Sequence, residues 1–291
     1  MRLKDKVVLI TGASRGVGAA VAIAAAKEGA KVALAAKTIE PNPRLPGTLG
    51  EVAAAVEAVG GEALVIQVDV RFEDQVEAMV QKTVDHFGRL DAMVNNAGAI
   101  FWAPVSGWTT KKYDLVNNVN VRGAFLCARA ALPHLRKQGG HVLNMSPPVV
   151  ASAAVGKAPY IVSKFGMTLH ALAIDSEEPN VAGHALWPVT GILTAATVNL
   201  TMGQTREWRT PEILADATIA LLAKDPMTSK FRPWLDEEVL EDEGITDLSI
   251  YRCDPDHEPA PMSIHLIDPT CKRRGPLNCV ICPSWHTTII G

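Results

Sequence analysis

Short apolar runs alternate with longer segments whose apolar residues recur every three to four positions, and the alternation holds from the N-terminus to about residue 190. Val7 to Ile10 is β-branched and predicts a strand, and the Ala-rich stretch Val17 to Glu28 predicts a helix. The pair recurs as Lys31 to Ala36 and Glu51 to Val59, then as Ala63 to Val68 and Glu73 to Phe87. Leu90 to Val94 predicts the next strand, with most of Leu115 to Leu135 as its helix. His141 to Met145, Tyr160 to Ser176 and Gly183 to Trp187 continue as strand, helix and strand. Strands separated by helices must run parallel and be covered on both faces, so the expected fold class is α/β: a doubly wound parallel sheet in a single domain over 1–250.

Two stretches break the pattern. Pro41 to Gly47 holds three prolines and predicts an extended loop after the second strand. Beyond about residue 250, Pro255, Pro259, Pro261, Pro269, Pro276 and Pro283 deny any long periodic element. Residues 251–291 are therefore expected to be an irregular C-terminal extension, either packed on a neighbouring subunit or mobile.

Composition narrows the class. With 291 residues, 48% hydrophobic and 20% charged, the chain has the material for a large core. A formal net charge of −3 gives no electrostatic reason to bind nucleic acid or an anionic membrane. No signal-peptide apolar region and no run near the roughly 20 residues of a membrane span is visible, so a cytoplasmic protein is expected. Four of the five cysteines lie after residue 250, which argues against a disulfide framework. Cys279 and Cys282 have the spacing of a metal or redox pair but lack a second pair, and no metal is expected.

Thr11 to Gly18 follows the first strand and opens the first helix, with three glycines where backbone must approach a pyrophosphate. Gly12, Ser14, Arg15, Gly16, Val17 and Gly18 are the candidate dinucleotide contacts. Further candidates lie at the carboxyl ends of later strands: Asp69 and Val70 for the adenine, and Asn96 and Ala97 beside the cofactor. Asp69 also reads as a helix cap, and Asn95 to Gly98 as a plain turn. The second strand ends in Ala35-Ala36-Lys37-Thr38 with no carboxylate for the adenosine ribose. Lys37 and Arg15 suit a 2′-phosphate, which favours NADP; Glu40 nearby keeps NAD possible.

Tyr160 and Lys164 are four residues apart, hence on one face of a helix, where a cation assists a phenol in losing its proton. With the TGASRGVG turn, Asp69, the NNAG segment and Asn120 in NVNVRG, this pair gives the chain motifs in the order and spacing of the short-chain dehydrogenase/reductase family, which it resembles over about residues 5 to 250. AAKTIEPNPRLPGT, NMSPP, HALWP and RTPEILADA are similar to the hydroxysteroid dehydrogenase-like protein 2 group within that family.

The resemblance implies a Rossmann-type fold and a hydride transfer between nicotinamide cofactor and a carbonyl or alcohol substrate. It implies that Tyr160 is the acid/base, that Lys164 lowers its pKa and holds the nicotinamide ribose, and that Asn120 anchors a proton-relaying water. The family's serine stands thirteen residues before the tyrosine, where this chain has Pro147; either a one-residue loop difference brings Ser146, the nearest substitute, into place, or Tyr160 and backbone alone hold the substrate oxygen. Thr190 and Ile192 follow the sixth strand as contacts to the nicotinamide carboxamide, with Val189 where the family has glycine. Thr194 to Arg209 would cover the site as an apolar lid, and a homodimer or homotetramer would pair through the helices of Leu115 to Leu135 and Tyr160 to Ser176. Two rivals stand beside the reductase: a catalytically silent dinucleotide-binding redox sensor, and an epimerase or dehydratase that keeps its cofactor.

Overall fold

The computed structural model describes residues 1–41, 46–147, 154–200 and 203–262. Seven strands form one parallel sheet in the order β3-β2-β1-β4-β5-β6-β9. They are β1 Val7–Thr11, β2 Lys31–Ala36, β3 Glu62–Gln67, β4 Ala92–Asn95, β5 Gly140–Met145, β6 Val181–Trp187 and β9 Pro233–Leu235. Two short strands, β7 Gly191–Ile192 and β8 Trp208–Arg209, pair with each other outside this sheet.

Every residue of β1, β4 and β5 is buried, as a parallel sheet covered on both faces requires. Side chains alternate between the two layers. Val8, Ile10, Val32 and Leu34 pack on helices α1 Gly16–Lys27, α2 Leu49–Ala58, α8 Glu212–Leu222 and α9 Asp236–Asp242. Val7, Leu9, Ala33 and Ala35 pack on α3 Glu73–Phe87 and α5 Val121–Leu135. The strand order reverses between β1 and β4, and the carboxyl ends of these two strands open the crevice in which such sheets bind ligands.

The structure departs from the expected elements at particular residues. The helix expected over Leu115 to Leu135 is two helices, α4 Thr110–Val119 and α5, broken at Asn120 (φ −76°, ψ −86°). The Asn120 side chain exchanges two hydrogen bonds with the Ala99 backbone, at 2.8 and 3.0 Å, and this link replaces helical continuity. Helix α2 begins two residues earlier than its pattern, because Thr48 and Glu51 form a reciprocal capping box.

Strand β6 presses closely on α6 Ala158–Glu177. A Cβ added at Gly183 would lie 1.9 Å from the Ala171 carbonyl oxygen, so no side chain fits there without separating sheet and helix. Gly183→Ala is expected to cost about 2–4 kcal/mol of stability, measured as a lowered urea midpoint; an unchanged midpoint would contradict this packing.

Candidate active site

The loop after β1 and the end of β4 are built as one unit. The Thr11 hydroxyl accepts from the amides of Asn96 and Ala97, both at 3.1 Å, while Asn96 Nδ2 donates to the carbonyls of Thr11 and Gly12 at 2.9 and 3.1 Å. Gly12 sits at φ +68°, and a Cβ there would meet Ala97 Cα at 2.9 Å. At Gly18 a Cβ would lie 2.4 Å from the Gly12 oxygen. The glycines are thus required by backbone contact between the turn, the helix and the loop after β4. Helix α1 follows with Arg15 at its N-cap and no side-chain cap, which leaves its first amides to bind an anion.

Around this turn, the Arg15 guanidinium donates to the carbonyls of Pro46 and Gly47, each at 3.0 Å. Lys37 lies 3.4 Å from Asp69, which also takes Arg71 through three side-chain bonds of 2.6 to 3.0 Å. Partial burial pushes the Asp69 carboxyl up, but the hydrogen bonds from Arg71 and the charges of Lys37 and Arg71 hold it below the usual carboxylate range. Ser14 is buried within the turn, and Val70 packs against the site where a Gly123 Cβ would stand.

Across the crevice, Tyr160 and Lys164 project from α6 into a cavity of about 530 Å³. Val17, Asn96, Ile192 and Thr194 line it together with Ile100, Trp102 and Trp187. Lys164 Nζ donates to the Met145 carbonyl at 2.8 Å, and burial lowers its pKa to about 8. Burial likewise pushes the Tyr160 phenol up. Both shifts disfavour the charged form, and a phenolate beside an ammonium in this low-polarity space offsets both penalties.

Asn120 is fully buried. Besides holding Ala99, its Nδ2 donates to Ser163 Oγ at 2.9 Å, which ties the loop after β4 to the residue next to Lys164. Ser146 is also buried. Its amide donates to the Leu186 carbonyl at 3.0 Å and its hydroxyl lies 3.4 Å from the Asn144 carbonyl, while Met145 rather than Ser146 lines the cavity.

Three site residues escaped sequence reasoning. The Val189 amide donates to Asp236 Oδ1 at 2.9 Å, and the Val189 carbonyl accepts from the Met262 amide at 2.7 Å. Asp236 therefore braces the Pro188 to Ile192 segment from behind, and Met262 joins the cavity wall. In sequence, Asp236 opens the acidic run Asp236-Glu237-Glu238, which reads as a solvated face. The third is Lys157, one turn before Tyr160 and facing the cavity; only its distance from the tyrosine could have flagged it. The expected lid is described over 194–200 and 203–209, where Thr194 caps the short helix α7 Ala195–Asn199 and Trp208 is buried. Among the described residues no cluster of metal-binding side chains occurs and no helix is long and apolar enough to cross a membrane; Cys279 and Cys282 lie outside them.

A doubly wound sheet with a glycine turn at its switch point and a buried Tyr-Lys pair across the crevice is the scaffold of a family of oxidoreductases. The family model described as short chain dehydrogenase matches residues 6–202, and the chain belongs to that family, whose members bind nicotinamide cofactors and act on small molecules. It is 44% identical over 262 residues to hydroxysteroid dehydrogenase-like protein 2 of Xenopus tropicalis, an alignment covering 88% of this chain and 62% of that one. The chain thus spans less than two thirds of this curated relative's length. Among solved structures, a Xanthomonas campestris protein matches with TM-score 0.85 and 44% identity over 90% of this chain and 98% of its own. A short chain dehydrogenase from Mycobacterium thermoresistibile matches with TM-score 0.82 and 40% identity, over 89% and 95%.

Asp236 supplies a pH test of this architecture. Burial raises its carboxyl to about 7, with the Val189 and Glu237 amides and the charge of Arg209 opposing and Glu237 adding to the rise. The unfolded chain releases that proton near the ordinary value of about 3.9. Folding therefore takes up a proton between those values. The stability linked to it is full below about pH 4 and lost as the pH rises to about 7. Asp236→Asn should abolish this loss, so thermal midpoints of wild type and variant should diverge between pH 5 and 7.5 in the variant's favour; parallel midpoints would contradict the assignment.

Proposed function

We propose that this protein transfers a hydride between NADP, with NAD as the weaker alternative, and an apolar carbonyl or alcohol substrate. The observation that carries the reading is the pairing of a glycine cradle with buried Tyr160 and Lys164 across one cavity. Gly12, Ser14, Gly16, Val17 and Gly18 would hold the pyrophosphate, Asp69 and Val70 the adenine, and Asn96, Ala97, Thr190 and Ile192 the nicotinamide half. Lys37 and Arg15 would face the 2′-phosphate. When bound, the nicotinamide supplies or accepts the hydride at the substrate carbon.

The chain's own residues then manage the proton. In reduction, Tyr160 donates its phenolic proton to the substrate oxygen as the carbon gains the hydride, and the resulting phenolate is stabilised by Lys164. Lys164 also holds the nicotinamide ribose. Asn120 keeps a lone pair on Oδ1 for the water that returns a proton to the phenolate, while its other bonds fix α6 against the loop after β4. Ser146, whose hydroxyl lies against the Asn144 carbonyl and does not line the cavity, becomes a second donor to the substrate oxygen only by turning toward it; otherwise Tyr160 and backbone hold that oxygen alone. The retained pair favours turnover over a silent sensor, since a sensor has no use for two buried ionisable groups facing an apolar cavity.

We also propose a homodimer or homotetramer. Helices α5 and α6 expose Phe125, Val162 and Leu169, at 44%, 58% and 55%, an apolar surface unusual for a monomer. Light scattering should give a mass of two or four chains, and a purely monomeric mass would refute this.

Tyr160→Phe should abolish carbonyl reduction and leave cofactor affinity within about threefold. Ser146→Ala should lower kcat by about 10²-fold if its hydroxyl holds the oxyanion. Full activity of Tyr160→Phe would sink the mechanism; full activity of Ser146→Ala would leave polarisation to Tyr160 and backbone alone.

A further inference from the structure

One charged group in the cavity has no part in this mechanism. Lys157 is the N-cap of α6, with its backbone outside the helix (φ −154°, ψ 26°), and its side chain lines the same 530 Å³ space as Tyr160. Its ammonium stands 4.8 Å from the centroid of the Trp102 ring, and that ring is 6.4 Å from the ring of Tyr160. Apart from Lys164, the residues around it carry no charge: Ile100, Trp102, Ile161, Trp187 and Met262.

Several other partly or wholly buried cations of the fold have counter-ions. Arg209 pairs with Glu237 and Glu258, Arg71 with Asp69, and Arg252 with Glu258. Lys164 is anchored on the Met145 carbonyl. Among the described residues, no carboxylate lies within ion-pair distance of Lys157, and no acidic side chain lines the cavity. Outside the described residues the sequence holds one acidic side chain, Asp268. Burial lowers the Lys157 pKa, as it does for a cation removed from water without compensation. The face of Trp102 orients the ammonium without neutralising it.

We infer that Lys157 is the counter-ion for an anionic group on the substrate, so that the substrate class is an apolar carbonyl compound bearing a carboxylate, an oxo acid or its hydroxy-acid counterpart. This rests on the reductase reading for the reacting end of the molecule. The carbonyl lies at Tyr160, the carboxylate at Lys157 about one helical turn away, and the chain between them on Trp102 and Met262. A compact cavity that must also admit the nicotinamide suits a carboxylate better than a larger phosphate headgroup. With no acid lining the cavity among the described residues, its two cations favour an anion over the corresponding ester or alcohol.

The test uses the full chain with reduced cofactor, a series of straight-chain oxo acids of increasing spacer length, and their methyl esters. The wild type should favour the best acid over its ester by about tenfold or more in kcat/KM at low ionic strength, and lose much of that margin in high salt. Lys157→Met should bring the acid-to-ester ratio to about one, Lys157→Arg should keep it, and Asp268→Asn should leave it as in the wild type. Equal acid and ester rates in the wild type, or a preference that survives Lys157→Met, would overturn the inference. Binding of 2-naphthoate against methyl 2-naphthoate, read by tryptophan quenching, gives a turnover-free measure. Lys157-dependent preference for naphthoate without any carbonyl reduction would leave the anion subsite standing and bring down the reductase reading instead. Equal binding of the two probes would bring down the subsite alone.

Discussion

The contact between the Gly12 turn and the end of β4 is the constraint on which the rest of the molecule hangs. Asn96 Nδ2 reaches the carbonyls of Thr11 and Gly12, and Gly18 lets helix α1 approach within a distance that excludes any side chain. This fixes the amides at the start of α1 over the crevice between β1 and β4, where the strand order reverses. Because Gly98 and Ala99 follow directly on Asn96 and Ala97, the same contact sets the loop that Asn120 clamps and that lies beside Lys164: a Cβ at Gly98 would be 3.7 Å from both Asn120 Oδ1 and Lys164 Nζ. The glycine turn and the Tyr160–Lys164 pair are one mechanical unit.

Desolvation governs the Tyr160–Lys164 pair itself. Tyr160 and Lys164 are both buried, and each charged form alone is disfavoured there. A proton leaving the phenol is easiest when the ammonium is charged and close, so the cavity couples the two protonation states. On the far side of the clasp segment, Asp236 pays its own burial cost to hold the Val189 amide, while Met262 holds the same residue's carbonyl. Val189 is in this way gripped from both sides, although no glycine is present at its position.

Much of the fold was legible because its signals are local. The β-branched runs, the Ala-rich helix after the glycine turn and the four-residue Tyr160 to Lys164 spacing each declare themselves within a few residues. The break at Asn120 did not, since its cause is a bond to Ala99, 21 residues away. Strand β9 has three residues, too few for a period, and exists by pairing with β6. Asp236 and Lys157 look like solvated charges in sequence, and only the fold turns one into a buried brace and the other inward. Met262 sits in a proline-rich stretch, where prolines mark the absence of a helix but say nothing of what the backbone packs against.

The most direct test is a titration of the purified protein with NADPH and with NADH, followed by nicotinamide fluorescence, with carbonyl compounds added to the saturated complex. Saturable binding is expected, tighter for NADPH, with stoichiometric loss of the reduced-nicotinamide signal once a suitable carbonyl is present. Binding with no oxidation across aliphatic, terpenoid and carboxylate-bearing carbonyls would contradict the catalytic reading, and no binding of either nucleotide would contradict the reading of the glycine cradle.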